Sequence, residues 1–165
     1  MLLLIPVLFI FFDGCADDEL YDREIMHARW EKFELLKVDY EYATNKVAAW
    51  DNLSRVYGEA IYGAPESERP KINAIFDHYN EEAEVCRKES REIFFSLCEA
   101  AVYPSNFDWI YKNQTANLRD EDIDINRNFF RKVIDEIFSN EYFRPDSNWV
   151  ELRKSVLGRE FYTQQ

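Results

Sequence analysis

Helix breakers are scarce. The 165 residues include four glycines and five prolines, about 5% of the chain against roughly 12% on average. Turn-dense β-sandwiches and barrels, glycine-rich phosphate cradles and low-complexity disorder all draw on more breakers than this. Histidine occurs twice and cysteine three times, so metal sites built from these residues have few ligands to draw on. Positive charge is also short, with 20 Lys and Arg against 32 Asp and Glu and a formal net charge of −12. Nucleic-acid binding rests on neutralising phosphates with Lys and Arg, so no nucleic-acid partner is expected. Apolar surface, by contrast, is plentiful. A hydrophobic content of 47% and an aromatic content of 16% suffice for one core in a single domain of this length.

The longest apolar run is Leu2 to Phe12, closed by Asp13. As a helix it spans about 16 Å, roughly half a bilayer core, which is too short for an anchor and the right length for the h-region of a signal peptide. Gly14-Cys15-Ala16 places small residues three and one positions before a cut ahead of Asp17. The stretch Phe11-Phe12-Asp13-Gly14-Cys15 also resembles the lipobox of bacterial lipoproteins, and that resemblance implies a lipid on Cys15. No Lys or Arg stands near Met1, which keeps a retained apolar start open as a third reading. The expected division is a signal-like segment over 1–16 and one helical domain over 17–165. Intact mass with N-terminal analysis separates a start at Asp17, a lipidated Cys15 and an uncut Met1.

Placed on the chain, the breakers become punctuation. Gly58, Gly63, Pro65 and Pro70 cluster, while Pro104, Pro145 and Gly158 stand singly. Before the cluster, Phe33, Leu36, Tyr40, Ala43, Val47, Trp50, Ser54, Tyr57 and Ile61 recur at spacings of three and four. After it, Ile72, Phe76, Tyr79, Ala83, Cys86, Ser90, Ile93 and Leu97 do the same. Such stripes predict two long amphipathic helices with a heptad seam, folded back antiparallel across the short connection. Facing positions then add to about 133, so that Tyr57 meets Phe76, Trp50 meets Ala83, Val47 meets Cys86, Ala43 meets Ser90 and Leu36 meets Leu97. Large residues repeatedly oppose small ones, as interdigitating layers require. An aromatic connection over Ser105 to Leu118, a third helix from about Asp120 to Asn140 and a fourth from about Ser147 complete the reading. The fold class is all-α, a long antiparallel hairpin with two shorter C-terminal helices packed as a partial bundle. Because the third helix is half the length of the first, the outer end of the hairpin is expected to lack a full bundle, leaving a docking surface or a dimer interface.

Constellations with chemistry are few. Glu24-x-x-His27 has the spacing of a di-iron ligand pair, but the only other histidine, His78, falls about 42 Å away along the hairpin. Asp120, Asp122 and Asp124 open like a calcium loop, yet Ile125 and Arg131 stand where that loop needs Gly and Glu, so an acidic first turn complementing the helix dipole is the better reading. There is no nucleophile elbow and no phosphate loop. Cys86 and Cys98 would lie about 18 Å apart on one helix, beyond disulfide reach, and read as buried free thiols. Two glycosylation sequons, Asn52-Leu53-Ser54 and Asn113-Gln114-Thr115, barely exceed chance and choose no compartment. No catalytic residue, metal or cofactor is expected. Trp109, Tyr111, Phe143 and Trp149, in or beside connections, are the candidate partner-binding anchors.

The expected function is that of an exported, extracytoplasmic helical protein, secreted, periplasmic or lipid-anchored through Cys15, acting by protein–protein contact. An immunity-type or inhibitor-type binder of a basic partner is its concrete form. The alternatives are a structural spacer or coiled-coil homodimer tethered at an envelope, and an enzyme whose residues the sequence does not mark.

Overall fold

The computed structural model describes the backbone of residues 14–139 and 151, with side chains from 23 to 137 and at 151. Four helices follow in order: α1 (Gly14–Gly63), α2 (Arg69–Ala100), α3 (Pro104–Asn113) and α4 (Asp120–Ser139). Among the described residues there is no strand. The fold is all-α and dominated by the packing of α1 on α2. The helix expected from about Ser147, together with Phe143 and Trp149, lies outside the described residues.

Between α1 and α2 the chain turns through Ala64 to Glu68. The Ala64 N–H donates to Ile61 O at 3.4 Å and the Glu68 N–H to Pro65 O at 2.9 Å. Pro70 sits in the first turn of α2, where a missing N–H costs no helical hydrogen bond. All seventeen residues of the two stripes are buried or half-buried, so the periodicity did identify the seam. The register is one residue later than the stripes suggest. Tyr40 packs on Phe94, the Ser54 hydroxyl meets Asn80 Oδ1 at 2.7 Å, and Gly58 lies beneath the Phe76 ring, each pair adding to 134. Phe76 is therefore met by Gly58 instead of Tyr57. A Cβ at position 58 would approach that ring to 3.1 Å, so the glycine permits the close crossing.

Burial changes along the seam. At the base, Phe33, Tyr40, Ala43, Val47, Ala83, Cys86, Phe94 and Leu97 are buried, with Leu36 and Ile93 half-buried against them. From Trp50 to the tip, the hydrophobic seam residues Trp50, Tyr57, Ile61, Ile72, Phe76 and Tyr79 are half-buried. The difference comes from α3 and α4. On α3, Trp109 sets its ring edge-on to Phe33 and Tyr40, and Phe107 stacks against Phe130 of α4. Phe129 of α4 packs on Phe95 with ring centroids 4.4 Å apart, while Asp122 pairs with Arg91 of α2. These two contacts run in the same order on both helices, so α4 travels alongside α2 toward the base. Phe33, Tyr40, Phe94, Leu97, Phe107, Ile110, Phe130 and Ile134 thus share one core at that end.

Helix α3 corrects the expected connection over Ser105 to Leu118. Pro104 is the first residue of this helix, and its fixed φ and absent N–H suit that position. Asn106 caps the turn, its Oδ1 accepting the N–H groups of Val102 and Tyr103 at 3.2 and 3.0 Å. Read as a breaker, Pro104 ended α2; read as a helix start, with Phe107 and Ile110 three residues apart, it also opened α3. The chain then reaches α4 through Asn117, whose φ of 52° lies in the left-handed region that asparagine tolerates better than most residues.

Candidate functional site

The outer half of the hairpin is the candidate site, and an ionic belt marks where it begins. The Arg87 guanidinium, buried on α2, reaches Asp51 of α1 and Glu84 of its own helix, and Glu84 also pairs with Arg119 just before α4. One arginine therefore joins α1 to α2, and one glutamate joins α2 to the start of α4. The contacts from α3 and α4 described above lie between this belt and the base.

Beyond the belt only the α1–α2 seam is described. Tyr79 lies between Trp50, stacked at 5.6 Å, and Tyr57 at 5.3 Å, making an aromatic ladder along the seam. These rings stay half-buried, while Tyr62 at the end of α1 is 89% exposed. Charge is skewed in the same place: residues 51–84 carry eight Asp and Glu against three Lys and Arg. Rigid aromatic surface within an acidic field is suited to docking a cationic protein surface, because the rings supply desolvated contact area and the field supplies steering.

The anchors expected from sequence divide. Trp109 is half-buried, packed on Phe33 and Tyr40 with the Lys37 ammonium 5.4 Å above its ring, and so supports the core. Tyr111 is exposed on α3 at the base, away from the hairpin tip. Phe143 and Trp149 lie outside the described residues. Cys15 stands in the first turn of α1, and its side chain is likewise outside them. No helix among the described residues is long and apolar enough to cross a membrane. At the base, Arg23, Met26, His27, Trp30 and Tyr103 line an open cleft in which no set of carboxylates and histidines converges.

The residues of the metal-like patterns do not come together. His27 faces Glu31 at 3.7 Å and turns an edge to Trp30. The three aspartates of α4 do not converge: Asp122 is buried against Arg91, Asp124 meets Arg127 at 3.3 Å, and Asp120 is exposed. No group of three His, Cys, Asp or Glu able to hold a metal ion occurs among the described residues. In the second sequon the Asn113 amide nitrogen, the atom a glycan would need, donates to Trp109 O at 2.9 Å.

Cys86 and Cys98 are free and buried on α2. Burial pushes the Cys98 thiol far above its ordinary value of 9.0, and burial does the same to the Tyr40 phenol above 10.0, whose hydroxyl donates to Asn113 O at 3.2 Å. Both groups keep their protons in the folded chain at a pH where the unfolded chain has lost them. Their stabilising contribution is complete below the ordinary values and is lost as pH rises through and above them. Stability should therefore fall by about 1.4 kcal/mol per pH unit for each group, from about pH 9 upward for Cys98 and from about pH 10 upward for Tyr40. Urea denaturation across that range measures the slope. Cys98→Ala and Tyr40→Phe should each remove one proton's share, whereas a slope unchanged in both variants would contradict the assignment.

Further polar residues, which apolar periodicity could not reveal, are buried among the helices. Asp122 and Asn126 are buried on α4, with Arg91 of α2 half-buried beside Asp122, while Ser90 is buried on the seam face of α2 and Gln114 at the end of α3. Neither amide atom of Asn126 meets a hydrogen-bond partner among the described residues. The buried Asp122–Arg91 pair is the polar contact that joins α4 to α2. No family model matches the chain, and neither the curated proteins nor the solved structures include a match.

Proposed function

We propose that this protein is a binding module that captures a basic protein partner on the acidic outer half of its α1–α2 hairpin. The observation that carries the reading is the burial gradient, in which the aromatic seam is sealed at the base and half-open from Trp50 to the tip, where acids predominate. The long helices hold Trp50, Tyr57, Phe76 and Tyr79 in fixed positions, so a partner meets a preformed surface and little ordering entropy opposes binding. The acidic field accelerates encounter, and the aromatic ladder provides the contacts that slow release. An immunity-type or inhibitor-type role, in which a cationic enzyme or toxin is blocked by a rigid acidic helical surface, is the specific form. Export through the 1–16 segment, with or without a lipid at Cys15, would place that surface outside the cytoplasm.

A photo-reactive phenylalanine at position 62, expressed in the source cells, tests this reading. The captured species should be a basic protein. Its association rate with the purified chain should fall at least about tenfold from low to high salt. Reversing Glu81 and Glu82 to Lys should reproduce much of that loss at low salt. An acidic captured partner, or an association rate indifferent to salt, would contradict it.

A further inference from the structure

α1 carries a second apolar stripe, on the face opposite the seam. Leu35, Val38, Tyr42, Ala49, Leu53 and Val56 are all exposed, the first three at 71%, 65% and 67%. Their successive spacings of three, four, seven, four and three residues keep them on one side of the helix. The same series reads identically from either end. A two-fold axis between Asn45 and Lys46 therefore brings Leu35 onto Val56, Val38 onto Leu53 and Tyr42 onto Ala49 of a second chain, with the largest side chain opposite the smallest. This is the self-complementarity that an isologous interface requires, since residue i meets j and j meets i.

We infer that the outer face of α1 is a homodimer interface in which two copies pack antiparallel about the Asn45–Lys46 midpoint. Charge along the flank does not oppose it: Glu34 is paired with Lys37 at 3.1 Å and Arg55 with Glu59 at 3.0 Å within the chain. Lys46, nearest the axis, is already neutralised within its own chain by Glu89 at 3.1 Å, which offsets repulsion from its copy. The helix between Leu35 and Val56 is about 32 Å long, and a single helix pair over that length buries less than the standard interface of about 1,600 Å². The dimer is therefore reversible, with dissociation in about the micromolar range. It leaves the hairpin tips free and doubles the number of acidic docking surfaces per particle.

Sedimentation equilibrium of the full chain over a concentration series tests the interface. A monomer–dimer equilibrium is expected, weakened about tenfold or more by Tyr42→Glu. Tyr62→Glu, at the tip, should leave it unchanged. Leu35→Glu, at the end of the stripe, should weaken association as well. Leu35, Tyr42 and Tyr62 are exposed, so far-UV circular dichroism would verify that the helices persist. A chain that stays monomeric at every concentration would overturn the inference, including the case in which residues 140–165 cover the stripe. A dimer that survives Tyr42→Glu would overturn it as well. Neither result decides partner capture, because the aromatic ladder of Trp50, Tyr57 and Tyr79 lies on the seam and not on the stripe.

Discussion

Replacing Phe94 with alanine should cost about 3–5 kcal/mol of stability, the range for removing a buried aromatic ring from a packed core. Phe94 is 1% exposed and stands on α2 against Tyr40 of α1, within the cluster that also holds Phe107 of α3 and Phe130 of α4. Its removal would leave a cavity lined by stiff aromatic groups that relax poorly. For a domain of this size the loss corresponds to a melting temperature lower by about 10 °C. Since whole domains are stable by only about 5–15 kcal/mol, the variant would sit near the limit of folding. Leu35→Ala, on the exposed face of α1, is the control and should change stability by no more than about 0.5 kcal/mol in dilute solution. A Phe94→Ala loss below about 1 kcal/mol would mean that the four helices do not converge on this ring.

Asp122 is the second position of large effect. Its carboxylate is 2% exposed, pairs with Arg91, and lies in the first turn of α4, where negative charge also complements the helix dipole. Removing one partner of a buried pair costs about 3–5 kcal/mol; Arg91 retains some water, which lowers the expected cost of Asp122→Ala to about 2–4 kcal/mol. The pair sets where α4 starts on the hairpin, so α4 should lose protection before the α1–α2 base does. A double-mutant cycle isolates the pair. With Arg91→Met in place, Asp122→Ala should cost markedly less than it does alone, and additive losses would contradict the pairing.

The legibility of this molecule followed the physical signals that sequence carries. The seam was legible because burial along a helix leaves a three-and-four spacing, and Phe33 through Ile61 and Ile72 through Leu97 kept it without interruption. The hairpin register came within one residue because large and small residues alternate across the seam. Helix α3 was missed because Pro104 both ends one helix and begins the next, and because only Phe107 and Ile110 mark its buried side with regular spacing. The aspartates of α4 were rightly read as an acidic first turn, yet the Asp122–Arg91 pair joins residues far apart in the chain and leaves no local trace. Arg87 and Asn126 are the same case: polar residues in a buried layer look like surface until the neighbouring helix is in place. Trp109 stands in what reads from sequence as a connection, and its packing on Phe33 and Tyr40 becomes visible only once α3 is in place. The outward stripe from Leu35 to Val56 was hidden by the stronger stripe on the other face of the same helix.

Native-state hydrogen exchange of the purified chain tests the central distinction between a braced base and an open hairpin tip. Amides of residues 33–50 and 83–98 should exchange only through global unfolding, whereas those of 51–82 should exchange faster through local opening, since no other described helix braces them. Uniform protection from residue 33 to residue 98 would contradict this, because it would mean that the outer half is already covered and is not a surface held open for a partner.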